Sequence, residues 1–310
     1  PEWRVRLRAA SFNVPAVASE QPKSPKRTAA AAESVGESKA AGGVKVVETK
    51  PDDGELLAAL GSLYPLRGLP VAVSAGYQDT GDQGTVLNIS MQLGRAAFDF
   101  DSKGEKGKAL VDVAGAAIDD RGQFGSFKQL LTVTPETAGG DVVWHQRLRL
   151  KPGLYQVRVA VRERATGRTG SAAQWVEIPD LSKGDFALSS IFLGERAAQA
   201  PAEGAASGPR PVAVAVARRF TRASVLRFQT YVYNAARGEI QLQAQVFRGP
   251  KPVITTQTFK VPPAPDPARL PFWSELSLDQ LTPGRYVLRL TATDLTNNRT
   301  AVERVGFYVE

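Results

Sequence analysis

Arg147, Arg149, Arg158, Arg162 and Arg164 are the residues best placed to do chemistry in this chain. They alternate along two segments, 142–150 and 154–163, and just past the second, with a Pro152-Gly153 turn between them. Period two places such residues on one face of a strand. Folded back as a hairpin, the two segments would gather the guanidinium groups into a basic stripe. Such a stripe could take polysaccharide, lipid headgroups or nucleic acid. No aromatic side chains interleave with it as single-strand binders require, which disfavours nucleic acid. The plainer reading is a charged solvent face that keeps the sheet from pairing with other chains.

Other chemistry is sparse. Asp101 with Glu105, and Asp119 with Asp120, could ligate calcium between domains. Carboxylates beside glycine are also ordinary turn residues. The one histidine, His145, sits in an apparent strand with no second imidazole. The sequence has no cysteine, which excludes disulfides, zinc-thiolate sites and thiol catalysis. It also lacks Gly-x-Ser-x-Gly, a phosphate loop, Gly-x-Gly-x-x-Gly and His-Glu-x-x-His. The expectation is a non-enzymatic protein with no cofactor and no metal. One pocket pairing two perturbed carboxylates would reopen a hydrolase reading. Asn88-Ile-Ser90 and Asn298-Arg-Thr300 match glycosylation acceptors, a pattern common by chance.

The elements that must position these residues are strands. Leu150-Lys-Pro-Gly-Leu-Tyr155 and Leu281-Thr-Pro-Gly-Arg-Tyr286 begin two copies of one hairpin at a constant offset of 131 residues. Proline fixes φ and glycine accepts a positive φ, so each copy opens on a turn. In the first, Tyr155, Val157, Val159 and Val161 alternate with Gln156, Arg158, Ala160 and Arg162. In the second, Tyr286, Leu288, Leu290 and Ala292 alternate with Val287, Arg289, Thr291 and Thr293. A Pro-Gly-x-Tyr run before a strand resembles the tyrosine corner of immunoglobulin-like and fibronectin type III sandwiches. That resemblance gives Tyr155 and Tyr286 structural roles.

With 310 residues, 43% of them hydrophobic and 23% charged, the chain is long enough for about two domains. The expected fold is all-β: two tandem immunoglobulin/fibronectin type III-like antiparallel sandwiches, one short helix and a flexible N-terminal linker. Residues 1–13 read as a strand, and 14–50 as a flexible linker with a short strand at 44–49. A helix spans 51–66, with Leu56, Leu57, Leu60 and Leu63 on one face, and covers a sandwich edge or end. The first sandwich takes 67–180, with strands at 70–77, 85–93, 108–118, 125–133, 142–150, 154–163 and 168–178. The second takes 185–310, with strands at 187–193, 212–220, 224–234, 238–248, 252–261, 273–278, 285–294 and 300–309. The Pro-rich stretch 262–271 is an extended connector, and 224–234, apolar on both faces, is a central or interface strand. The net charge of +8 permits anionic partners. No run approaches the ~18 apolar residues of a membrane helix. The chain begins at Pro1 without a visible signal peptide, as a processed piece of a longer protein would.

Several runs carry a family resemblance. They are Lys108-Ala-Leu-Val-Asp-Val-Ala-Gly-Ala-Ala-Ile-Asp-Asp-Arg-Gly122, Leu150-Lys-Pro-Gly-Leu-Tyr155, Ala165-Thr-Gly-Arg-Thr-Gly-Ser171 and Ile178-Pro-Asp-Leu-Ser182. Together with Leu69-Pro-Val-Ala-Val-Ser-Ala-Gly-Tyr77 and Val214-Ala-Val-Ala-Arg-Arg-Phe220, they resemble the region after the A domain in bacterial von Willebrand factor A-related proteins. The resemblance covers about residues 65–310, and Trp3 to Ala9 resembles the tail of the A domain itself. It implies an exported protein of adhesive or scaffolding character. The expected function is contact with other proteins or with its own copies, for which sandwich edges would supply the surfaces. The Asp-x-Ser-x-Ser run of the A-domain metal site is missing, so no metal-dependent role carries over. The alternative function is binding of polysaccharide or another anionic surface polymer on the arginine face.

Overall fold

The computed structural model describes residues 46–47, 53–81, 84–98, 100, 107–120, 122, 124–134, 141–197, 212–236, 238–261, 266 and 268–310. The expected strand at 1–13, most of the linker at 14–50 and the Asp101/Glu105 pair lie outside the described residues.

The first unit comprises β1 (Val46–Val47), α1 (Asp53–Gly61), β2 (Val71–Asp79), β3 (Thr85–Leu93), β4 (Ala109–Ile118), β5 (Phe124–Val133), β6 (Val142–Arg149), β7 (Gly153–Glu163) and β8 (Thr169–Ile178). Its strands form a sheet ordered β2-β3-β6 and a facing sheet ordered β1-β5-β4-β7-β8. The second unit comprises β9 (Ala187–Leu188), β10 (Phe192–Ala197), β11 (Arg219–Phe220), β12 (Ser224–Tyr233), β13 (Ile240–Arg248), β14 (Lys251–Thr255), β15 (Phe259–Val261), β16 (Arg269–Ser277), β17 (Gly284–Asp294) and β18 (Arg299–Val309). Here β10-β12-β16, with β9 alongside β12, faces β11-β18-β17-β13-β14, with β15 alongside β13. All described pairs are antiparallel except β11 with β18. In each unit the facing sheets close over their own core, one centred on Trp144, Val157 and Leu131, the other on Phe228, Leu288 and Phe307. The chain is thus an all-β fold of fibronectin III-like sandwich layers.

Alternation dictates the packing. β7 buries Tyr155, Val157, Val159 and Val161, and β17 buries Tyr286, Leu288, Leu290 and Ala292. Both strands are 11 residues long, and their ends keep the 131-residue offset. At each Pro-Gly turn the tyrosine hydroxyl donates back across four residues, Tyr155 to the Lys151 carbonyl at 2.9 Å and Tyr286 to the Thr282 carbonyl at 2.6 Å. A phenylalanine at either site keeps the packing and loses the bond. Tyr155→Phe and Tyr286→Phe are each expected to lower unfolding free energy by about 1 kcal/mol, read as a shift in denaturant midpoint.

The structure differs from the sequence reading in several places, among them the strands expected at 187–193 and 252–261, each of which is broken in two. β6 pairs with β3 and not with β7, so the segments flanking Pro152-Gly153 cross between sheets. α1 ends at Gly61, leaving Leu63 off the helix and 76% exposed. The helix covers no edge or end; its Leu56 and Ala59 lie on the outer face of the larger sheet, against Ala114 of β4 and Ala160 of β7. Of the strand expected at 212–220 only Arg219–Phe220 forms, because Arg218, at φ 51°, turns the chain in the left-handed region. Finally, β16 runs through Pro271, where an extended connector is expected. It is an edge strand, where a residue without an N–H is tolerated. β12 lies inside its sheet, between β10 and β16.

Candidate functional site at the junction of the sandwiches

The five arginines of the expected stripe do not come together. Arg147 and Arg149 lie on β6 in one sheet, while Arg158 and Arg162 lie on β7 in the other, with Arg164 just beyond it. α1 covers the outer face of β7, so Arg158 is only 8% exposed. Its Nη1 donates to the carbonyls of Leu60 (3.2 Å), Gly61 (3.1 Å) and Ser62 (3.4 Å), groups that the end of a helix leaves without intrahelical partners. Burial lowers its pKa. Arg162 Nε pairs with Glu55 at 2.7 Å. Arg164 grips the buried Asp112 through both Nε and Nη2, which raises its own pKa. These three arginines anchor a helix and a loop. His145 shares a 2.9 Å hydrogen bond with Ser90 across the β3–β6 pair. Its pKa is lowered by burial and by Arg147. Asp119 is buried and Asp120 exposed, and among the described residues no three His, Asp or Glu side chains converge as a metal site.

The residues that do converge lie where the two sandwiches meet. Strand β2 offers its backbone edge to the second unit. Tyr77 N–H donates to Ser190 Oγ at 3.0 Å, Ser190 N–H donates to the Tyr77 carbonyl at 3.2 Å, and the Tyr77 hydroxyl donates to the Leu188 carbonyl. Two residues on, Asp79 N–H donates to Tyr233 Oη at 2.7 Å. Burial is the main cause of the raised pKa at both tyrosines, so both hydroxyls keep their protons. Gly76 permits this approach: a Cβ there would stand 2.9 Å from Ser190 Cβ. Arg269 of β16 reaches the Thr80 carbonyl at 3.3 Å and lies over the Tyr231 ring.

Beside this seam is a cleft of about 210 Å³ whose walls include Gln174, Trp175, Glu177, Arg218, Glu303 and Arg304. Gln174 bridges the two sheets of the first unit, accepting from Ala75 N–H at 3.1 Å and donating to its carbonyl at 2.7 Å. Arg218 reaches in from the second unit, and its Nη2 donates to Ser74 Oγ at 2.9 Å and to Gln174 Oε1 at 3.2 Å. Burial lowers its pKa. Glu303 occupies an inward position of β18, in the series Ala301, Glu303, Val305, Phe307 and Val309. Burial pushes its pKa up to about 7, Glu177 across the cleft pushes the same way, and Arg304 pulls back. A proton-holding carboxyl beside a second carboxylate can serve as an acid–base pair. One raised carboxyl facing a second carboxylate comes nearest to the pair that would reopen a hydrolase reading, and no local motif announces it. Glu177, Arg218 and Glu303 belong to distant stretches joined only by the packing of the two units. The one trace in the sequence is the carboxylate interrupting the apolar alternation at 303.

Among the described residues no helix is long and apolar enough to cross a membrane. No protein-family model and no curated protein matches the sequence. Among solved structures, a red sea bream transglutaminase aligns with 78% of this chain and 31% of its own, at 11% identity and a TM-score of 0.24. The β-glucuronidase of Parabacteroides merdae aligns over 72% and 27%, at 12% identity and a TM-score of 0.25. Fibronectin(III)-like modules of Clostridium thermocellum CbhA align over 73% and 85%, at 9% identity and a TM-score of 0.20. The chain spans less than a third of the transglutaminase and of the glucuronidase. Scores this low carry no functional argument, and strand order and core packing are what define the sandwich layers here.

Proposed function

We propose that this chain is a non-enzymatic, exported module of structural or adhesive type that assembles with other proteins or with its own copies through a sheet edge. The carrying observation is β6. It is an eight-residue strand without proline, paired along its length to β3 and, among the described residues, to no strand on its other side. Such an edge is a template for strand addition. The hydrogen-bonded seam at Tyr77, Ser190 and Tyr233 supports the reading, since it holds the two sandwiches as one body and fixes the spacing of contacts on each. The resemblance of residues 65–310 to the region after the A domain of bacterial von Willebrand factor A-related proteins favours export and contact.

The Glu177–Glu303 cleft favours a second reading, acid–base hydrolysis. Its volume of about 210 Å³ ranks it lower, since small-molecule sites are typically about 300–1,000 Å³. Both readings are testable on one sample. Sedimentation velocity at rising concentration is expected to reveal self-association, with amide exchange slowed along β6 in the associated species. A strict monomer, or protection confined to the cleft, defeats the assembly reading. No turnover is expected on a panel of chromogenic glycosides and esters. Hydrolysis abolished by Glu303→Gln would establish the enzyme instead.

A further inference from the structure

The outer face of the sheet β11-β18-β17-β13 carries an arrangement that folding alone does not explain. Arg289 of β17 and Arg304 of β18 are direct cross-strand partners. Both point outward, since their neighbours Leu288, Leu290 and Val305 fill the core. Like charges placed opposite each other on one sheet face destabilise the pair. Neither arginine makes an ion pair with a carboxylate among the described residues. Arg289 donates to Gln245 Oε1 on β13 and lies 4.6 Å from the centre of the Phe247 ring. Two residues along, the next outward row is Phe247, Val287 and Gly306, an apolar floor to which the glycine adds no side chain. The row beyond is Arg285 and Tyr308, with Arg219 over the tyrosine ring at 5.7 Å. Two cationic rows therefore flank a shallow apolar strip, spaced about 13 Å apart by two two-residue strand steps. The carboxylates bordering the face, Glu310 and Glu239, are already paired with Arg219 and Lys260.

We propose that this face is a binding site for an anionic polysaccharide, whose carboxylate or sulfate groups lie between Arg289 and Arg304 and beside Arg285 while sugar rings rest on Phe247, Val287 and Tyr308. Guanidinium groups suit such oxyanions because they offer paired donors. Gln243 and Thr291, in the row on the far side of the Arg289–Arg304 pair, supply neutral partners for hydroxyls. An acidic peptide fits less well. A peptide strand docks on a sheet edge, where backbone groups are free, and here the N–H and C=O groups of β17 are spent on β13 and β18. The site lies on a different sheet and in a different sandwich from Arg147, Arg149, Arg158, Arg162 and Arg164.

The test measures retention of the whole chain on immobilised heparin and polygalacturonate, with dextran as the neutral control, at low and high salt. The wild type is expected to bind one or both charged polymers, to release as salt rises, and to ignore dextran. Arg289→Gln with Arg304→Gln is expected to weaken binding at least tenfold and to melt no lower than wild type, since a repulsive pair is removed. Arg285→Gln, whose side chain has no hydrogen bond or ion pair among the described residues, is expected to weaken binding about threefold and covers the case of a double variant that fails to fold. Arg222→Gln, elsewhere on the surface, is expected to bind as wild type. Absence of retention, or equal retention of the wild type and the Arg289/Arg304 variant, overturns the proposal. Tighter binding to poly-glutamate, single-stranded DNA or phosphatidylserine vesicles overturns it in favour of that other partner class.

Discussion

Glu303→Gln is expected to make the protein more stable at pH 8, by up to about 3 kcal/mol, and to leave it unchanged near pH 4. The side chain is half-buried at the junction, and its pKa rises from an ordinary 4.5 to about 7 in the folded protein. A carboxyl with a raised folded pKa binds its proton more tightly folded than unfolded. Below pH 4.5 both states are protonated and the group is neutral to stability. Between 4.5 and 7 the folded state alone holds the proton, so stability falls as pH rises, and above 7 the loss is complete. Each pKa unit corresponds to about 1.4 kcal/mol, which sets the upper value. Glutamine mimics the protonated form and removes the dependence. His145 works in the opposite sense, because its lowered pKa costs stability on the acid side. The measurement is therefore the difference between variant and wild-type unfolding free energies from pH 4 to 8. A difference that stays flat would show that Glu303 feels neither burial nor Glu177.

Arg158→Glu is expected to cost about 3–5 kcal/mol and to release α1 from the sheet. The wild-type guanidinium is buried, and it meets the carbonyls of residues 60–62 at the helix C-terminus and Gln156 Oε1 at 2.9 Å. The substitution replaces a donor with an acceptor facing other acceptors. An unpaired charge of the wrong sign beneath a helix is among the most costly single changes. Denaturant unfolding gives the total, and amide exchange at 56–61 locates it. Arg147→Glu, on an exposed strand position, is expected to change stability by no more than about 0.5 kcal/mol. Arg158 is therefore an unsound probe of polymer binding, since a variant that loses α1 loses more than a charge.

The strands and the duplicated hairpin were legible because both rest on local rules. Tyr155 and Tyr286 each stand two residues past the glycine of a Pro-Gly turn, and each begins an alternation that the core then uses. The position of α1 was not legible. An amphipathic helix shows which of its faces is apolar but not which surface will receive it. The receiving surface was marked only by Ala114 and Ala160, small residues at outward positions of β4 and β7. That omission decided the misplacement of the arginine stripe, because α1 turns Arg158 and Arg162 from solvent-facing charges into anchors. The stripe failed for a second reason at Pro152-Gly153, where the turn joins strands of opposite sheets and separates Arg147 and Arg149 from the rest. The cleft was hidden for a related cause. Arg218 and Glu303 become neighbours of Gln174 and Glu177 only after two finished sandwiches dock.

Strand β18 has β17 antiparallel on one side and, over Tyr308 and Val309, β11 parallel on the other. A pull along the chain at Val309 therefore loads many transverse hydrogen bonds together instead of opening them one at a time. A force applied there would enter the second sandwich through this strand, and its geometry suits it to bear a load.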